Sequence, residues 1–248
     1  MARYFAGTNQ YIHVDSTPVV AAPFTMAGWG RPDNNSDQHC LLYLGDKDDG
    51  QHQWALQFAG GLSGDPVRAF VYAGAGTQAD AESSTGYTAG SWSHAAYVEE
   101  SSSSRIAYID GGDAGTDSSD RSPAGADRLS IGRNGDETSP SAYMTGAVCW
   151  VALWDVALPA ADIAWLAAGG YPPRLKRDNL VAFWPLGWPH KDNDEDIIGG
   201  YDMTAYNSPT WVASPSGLEV PAHICHTRKG SMAMSQFAHN PYSIGAWK

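Results

Sequence analysis

The sequence predicts an all-β fold, a two-sheet antiparallel sandwich, and three observations carry that expectation. Turn formers and aromatics are abundant, with 27 Gly, 15 Pro, 10 Trp and 12 Tyr in 248 residues. Charged residues make up only 17%, against ~25% in an average globular protein, so the Lys and Glu that solvate helical bundles are scarce. Short apolar runs bounded by Gly, Pro, Asn, Asp and Ser recur along the chain, which is the pattern of strands at sandwich spacing. At 43% hydrophobic residues the chain can form its own core without disulfides or metal.

Taken in order, strands are expected at Arg3–Ala6, Tyr11–Val14, Phe24–Gly30, Cys40–Leu44, Trp54–Phe58 and Val67–Tyr72. They continue at Ser93–Val98, Ile106–Asp110, Arg128–Ile131, Met144–Trp154 and Leu180–Leu186. Turn clusters at 31–37, 46–50, 60–66 and 111–123 separate them, and Ser101–Ser104 reads as a hairpin tip. In Arg105–Gly111, period-2 spacing sets Ile106 and Tyr108 on one face and Ala107 and Ile109 on the other, so this strand is expected to be covered on both sides. One short helix is expected near 159–168, opening with Pro159 and stopping at Gly169-Gly170, with Ile163 and Leu166 turned toward the sandwich. No helices alternate with the strands, which argues against a parallel sheet.

Charge and composition exclude several functions. A net charge of −12 opposes non-specific nucleic-acid binding and docking on anionic lipid. The opening Met-Ala-Arg-Tyr-Phe-Ala-Gly has no signal-peptide core, and the apolar run Ala147–Trp154 is far shorter than the ~20 residues of a membrane helix. A soluble protein made without a Sec-type signal is expected. Cys40, Cys149 and Cys225 are too widely spaced for a disulfide framework, and Cys149 reads as a core thiol.

Several segments then point to a family. Ser91-Trp92-Ser93-His94-Ala95-Ala96-Tyr97-Val98 is followed by Tyr108-Ile109-Asp110-Gly111 and Leu129-Ser130-Ile131-Gly132. After Gly146 come Leu153-Trp154-Asp155-Val156-Ala157-Leu158 and the helix carrying Ile163 and Leu166. A second block, Leu180–Leu186 with Asp196 and Gly199-Gly200 ahead of Tyr201–Thr204, resembles the strand pair that often opens such modules. Over residues 3 to 221 the chain resembles laminin-G-like, concanavalin A-like lectin/glucanase jelly rolls. The resemblance implies a jelly roll in which a strand near the N-terminus and one near residue 184 lie side by side. With its opening Arg3-Tyr4-Phe5-Ala6-Gly7, the layout looks like that of proteins of bacteriophages and environmental bacteria.

Motifs for catalysis are missing. Glycosidases on this fold carry closely spaced acids on one strand, whereas Glu99 and Glu100 are adjacent and point to opposite faces. There is no nucleophile elbow, HExxH or Walker loop, and Gly74–Ala79 matches a relaxed dinucleotide fingerprint without the helix that would receive phosphate. No enzyme is expected and no cofactor is required.

Calcium is the metal to consider. Asp192, Asp194 and Asp196 have the D-x-D-x-D spacing that wraps oxygens around Ca²⁺, although Ile197 and Met203 depart from the EF-hand pattern. Many laminin-G-like modules bind Ca²⁺ at loop acids, and a solvated acidic turn is the plainer reading. Asp46, Asp48 and Asp49 form a second acidic turn, while His223-Ile224-Cys225-His226 lacks a fourth zinc ligand. Trp92, Trp150, Trp154, Trp165 and Trp184 read as core, leaving Trp188, Tyr87 and Tyr143 as loop aromatics able to stack on a sugar.

Two domains of function follow: a sandwich over 1–222 and a C-terminal extension over 223–248. Met232, Met234, Phe237, Tyr242, Ile244 and Trp247 are too apolar for a disordered tail. They either pack back on the sandwich or form an arm that docks on another subunit. The first functional expectation is a non-catalytic structural virion protein of a bacteriophage, decorating the capsid or belonging to the tail. Its expected partners are other virion subunits, a capsid or tail protein, to which it is held by this arm, and a homo-oligomer is expected. The alternative is a carbohydrate-binding adhesin or lectin module that recognises a cell-surface glycan.

Overall fold

The structure, a computed structural model, describes residues 1–7, 9–74, 76–187 and 194–218. The chain opens with β1 (Ala2–Ala6), β2 (Tyr11–Val14), β3 (Phe24–Pro32), β4 (Gln38–Gly45) and β5 (His52–Ala59). β6 (Pro66–Ala73), β7 (Gln78–Gly86), β8 (Ser93–Ser101), β9 (Ser104–Ile109) and β10 (Gly112–Asp117) follow. Next come β11 (Arg128–Ile131), β12 (Thr145–Trp154), the helix α1 (Ala160–Ala167) and β13 (Leu180–Trp184). Two short strands, β14 (Thr204–Tyr206) and β15 (Thr210–Val212), end the described chain.

These strands make a two-sheet antiparallel jelly-roll sandwich. One sheet runs β10-β9-β8-β3-β12-β1-β15, with β13 also paired to β12, and the other runs β14-β2-β11-β4-β5-β6-β7. Alternation decides what each strand buries. On β5, Trp54, Leu56 and Phe58 point inward, and on β6 so do Val67, Ala69 and Val71. They meet Phe24, Met26, Tyr97, Val148 and Leu153 of the facing sheet in one apolar core. Where Gly30 crosses Phe58, an added Cβ would lie 2.2 Å from the ring, so only glycine fits.

The first sheet is covered on its outer face as well. Ile163 and Leu166 of α1 lie over Ala96, Val98, Tyr108 and Trp154, which is why β9 is apolar on both faces. Gly169 (φ +89°) ends the helix in the left-handed conformation, with Gly170 N–H donating to Trp165 O and Gly169 N–H to Leu166 O, a Schellman motif.

Three sequence expectations are corrected. No strand is expected over 78–86, and Gly111–Pro123 reads as a turn cluster, yet they hold β7 and β10; their outward residues are polar and their inward ones small, so neither segment has the apolar signature of a strand. Gly115 allows the two to cross, since a Cβ there would lie 1.6 Å from Glu82 O. The N-terminal strand and β13 do not lie side by side. They sit end to end along one edge of β12, β1 on Val148–Thr145 and β13 on Val151–Trp154. The break falls at a bulge where Trp150 takes φ +51°, so that Cys149 and Trp150 both face outward before alternation resumes at Val151. Finally, Trp165 is 41% exposed: it lies on the solvent side of α1 and its ring covers Gly170 rather than the core.

Candidate functional site

The outer face of the second sheet is open over β4 to β7, and the strand register fixes what it presents. Three rungs cross it: Gly45, Gln53, Tyr72 and Gln78; then Tyr43, Ala55, Phe70 and Asp80; then Cys40, Gln57, Arg68 and Glu82. Cys40, Tyr43, Ala55 and Phe70 pack into a small buried cluster with Tyr72 against it, forming an apolar floor. Polar side chains stand around that floor.

The walls are loops. The segment 134–141 between β11 and β12 forms one, and the β4–β5 turn at Asp49–Gln51 forms the other. Together they enclose a cleft of about 770 Å³, which continues past Gln38 and Leu62 into a shallower depression of about 580 Å³ bordered by Tyr143 and Gly61. Asp136 is buried and organises its own loop, accepting from Thr138 Oγ1 at 3.0 Å and from the Ser139 N–H. A Cβ on Gly50 would lie 2.7 Å from the Asp136 carboxyl carbon, so glycine is needed where the two walls meet. Arg128 braces the wall from behind, through Asp15 (2.6 Å), Glu137 (2.8 Å) and Gly135 O (2.8 Å). Its hydrogen bond holds the Asp15 carboxyl below the usual range.

Inside the cleft the amides are fixed at one end. Gln57 Nε2 donates to Asn134 Oδ1 at 3.0 Å and Gln53 Nε2 to Gly50 O at 2.6 Å. Their carbonyl oxygens are buried and have no partner among the described residues. Arg68 donates to Asp80 at 2.7 Å, lies 4.5 Å over the Phe70 ring, and leaves its Nε without a partner. Arg68 covers the Phe70 ring, so partly exposed Tyr72 is the aromatic left to meet a flat apolar ligand face, with the polar groups at its edges.

The residues nominated from sequence lie elsewhere. Asp192 falls outside the described residues. Asp194 pairs with Arg3 at 2.9 Å, and burial raises its pKa against that pairing. Asp196 accepts four backbone N–H groups, from Phe183, Ile198, Gly199 and Tyr201, and burial raises it too. Carboxylates of Asp46, Asp48 and Asp127, rather than Asp49, come within 4.8 Å of one another, and the Lys47 ammonium contacts Asp48 and Asp127.

Of the loop aromatics, Trp188 is outside the described residues, and Tyr143 borders the depression. Tyr87 is buried edge-on against Phe58 and donates to Asn34 O, so it presents no face to a sugar. Trp92 is only partly buried, while Trp150, Trp154 and Trp184 are core. Glu99 is buried against Arg105 and Glu100 is exposed, on opposite faces as their spacing requires. The zinc-type cluster at 223–226 and the docking residues Met232, Met234, Phe237, Tyr242, Ile244 and Trp247 all lie outside the described residues.

Sequence reasoning placed β5 and β6 but missed their outward residues. The signal was there: Gln53-x-Ala55-x-Gln57 and Arg68-x-Phe70-x-Tyr72 alternate with the apolar residues that marked the strands.

Comparison with known proteins agrees with this architecture. The family Laminin_G_3, described as the concanavalin A-like lectin/glucanases superfamily, matches residues 6–164. No curated protein matches the sequence. Among solved structures, a candidate carbohydrate binding protein from Bacteroides ovatus ATCC 8483 is similar at TM-score 0.60 and 18% identity, over 84% of this chain and 58% of that one. The native heptameric SAP-like pentraxin from Limulus polyphemus is similar at TM-score 0.55 and 15% identity, over 69% of this chain and 83% of that one. The CBM40 of the Ruminococcus gnavus IT-sialidase, bound to alpha2,3 sialyllactose, is similar at TM-score 0.53 and 10% identity, over 67% and 98%. At such identities the likeness establishes a shared fold, and with the family match over most of the sandwich the chain belongs to the concanavalin A-like lectin/glucanases superfamily.

Proposed function

We propose that the protein is a non-catalytic glycan-binding module and that the cleft over β4–β7 is its binding surface. The observation that carries the reading is the composition of that cleft, with Phe70 and Tyr72 in its floor and Gln53, Gln57 and Arg68 beside them. A sugar has apolar faces and a polar rim, and this surface offers a partner to each. A buried acceptor left unpaired costs about 1–3 kcal/mol, so a ligand hydroxyl or water that reached the two amide oxygens would recover that cost. Carbohydrate binding among the structural neighbours supports the same reading. The virion context expected from the sequence, with its arm and subunit partners, is a separate proposal that co-purification with particles tests, and calcium is one that metal titration tests.

A glycan array at high protein concentration, followed by calorimetric titration of the best ligand, tests the glycan reading. Tyr72→Ala and Arg68→Ala are each expected to weaken binding about tenfold, or 1.4 kcal/mol, with unfolding temperature recorded alongside. A blank array, or full affinity in both variants, would remove the cleft from consideration.

A further inference from the structure

The polarity of the cleft narrows the ligand class. The two oxygens without partners, Gln53 Oε1 and Gln57 Oε1, are acceptors, on residues that are 5% and 1% exposed. Their amide nitrogens are already engaged. An acceptor is answered by a donor, which a sugar hydroxyl supplies and a carboxylate or sulfate cannot. The charges point the same way. Asp49 and Asp136 line the cleft, and Arg68, the cation among the described lining residues, is already paired with Asp80. An anionic sugar would face two carboxylates, and the one lining cation, Arg68, is already neutralised by Asp80 although its Nε has no partner among the described residues.

Spacing adds length. Gln53 and Gln57 are four residues apart on one face of β5, about 13 Å along the strand, which a single sugar ring does not bridge. Beyond Gln57 the cleft runs on past Gln38 toward Tyr143.

Resting on the glycan-binding reading above, we propose that the cleft selects a neutral oligosaccharide laid along β5. Its hydroxyls donate to Gln53 Oε1 and Gln57 Oε1 at separate sugar units, and carboxylated sugars are rejected.

The test uses the full chain and matched probes: α-1,4-galactotetraose against α-1,4-tetragalacturonic acid, cellotetraose against its C6-oxidised form, and lacto-N-neotetraose against its sialylated form. Each neutral monosaccharide is titrated alongside. In any pair that binds, the neutral member is expected to bind at least tenfold more tightly than the acidic one, and at least tenfold more tightly than its monosaccharide. Its affinity is expected to change less than twofold between 50 and 500 mM salt. Gln57→Met, which keeps the length and removes the acceptor together with the donor to Asn134, should weaken the neutral ligand about tenfold; Gln53→Met, which leaves the Asn134 contact in place, is the second variant should the first fail to fold.

Equal or tighter binding of the acidic members overturns the selection for neutral sugars while leaving a glycan-binding module in place. Monosaccharide affinity equal to that of the tetrasaccharide overturns the extended placement. If no neutral or acidic probe binds and the array is also blank, the glycan reading itself fails and this inference falls with it.

Discussion

His94 is a fully buried titratable group whose neutral form the fold demands. Its ring lies edge-on to Trp29 at 5.5 Å, Nδ1 has no partner among the described residues, and burial depresses its pKa to about 3. An unfolded histidine titrates near ~6.5, so unfolding takes up a proton below that pH and the folded state does not. The stability this represents is present above about pH 6.5 and is lost as pH falls toward 3. At pH 4.5 the loss is about 3 kcal/mol, or on the order of 10 °C in melting temperature for a chain of this size. His13, depressed to about 4 by burial and Arg128, acts in the same direction, while burial raises Glu99, Asp194 and Asp196 and so acts in the opposite one. His94→Phe isolates the term: between pH 7 and 4.5 the variant should lose less melting temperature than the parent by that amount. Equal losses would place the acid sensitivity elsewhere. None of this was legible in the sequence, where His94 was only part of a family pattern. The cleft residues were hidden for a related reason. A strand is recognised by the side chains it buries, and Gln53, Gln57 and Arg68 are the ones it turns outward.

Among the elements, α1 and the cleft occupy opposite outer faces of the sandwich. Leu166 is 2% exposed beneath the helix, and Leu166→Ala should cost about 2–4 kcal/mol by leaving a cavity there. The cleft lies beyond two sheets and a core, so the variant's glycan affinity should stay within twofold of the parent at temperatures where it is folded. A parallel drop in affinity would show that the two faces are coupled through the core. Sequence and structure agree best where burial is strongest. The helix was readable from Pro159, Gly169-Gly170 and the Ile163–Leu166 spacing, and β3, β5, β6 and β12 from their apolar runs. β14 and β15 are three residues each and carry little burial, so local pattern could not mark them; they exist because β2 and β1 offer edges to pair with.

At the scale of the molecule, those two short strands return the described chain to where it started, one on each sheet. β15 pairs with β1, placing Trp211 4.3 Å from the Arg3 guanidinium, and β14 pairs with β2, stacking Tyr206 on Tyr11 at 4.8 Å. Gln10 Nε2 reaches Asn207 O at 3.0 Å and secures the turn between them. They therefore cover two edges that would otherwise present unpaired N–H and C=O groups to other chains. A chain ending after residue 203 should lose several degrees of melting temperature and self-associate, because β1 and β2 become open edges. A chain ending after residue 222 keeps every contact named here and should unfold at the parent temperature and bind the same glycan. Unfolding of that longer form would show that the boundary between a 1–222 sandwich and a 223–248 extension is misplaced. The same protein, weighed by light scattering, tests the extension's part in self-assembly: a smaller oligomer at unchanged glycan affinity assigns residues 223–248 to assembly, and an unchanged mass ends the self-assembly form of the docking-arm proposal.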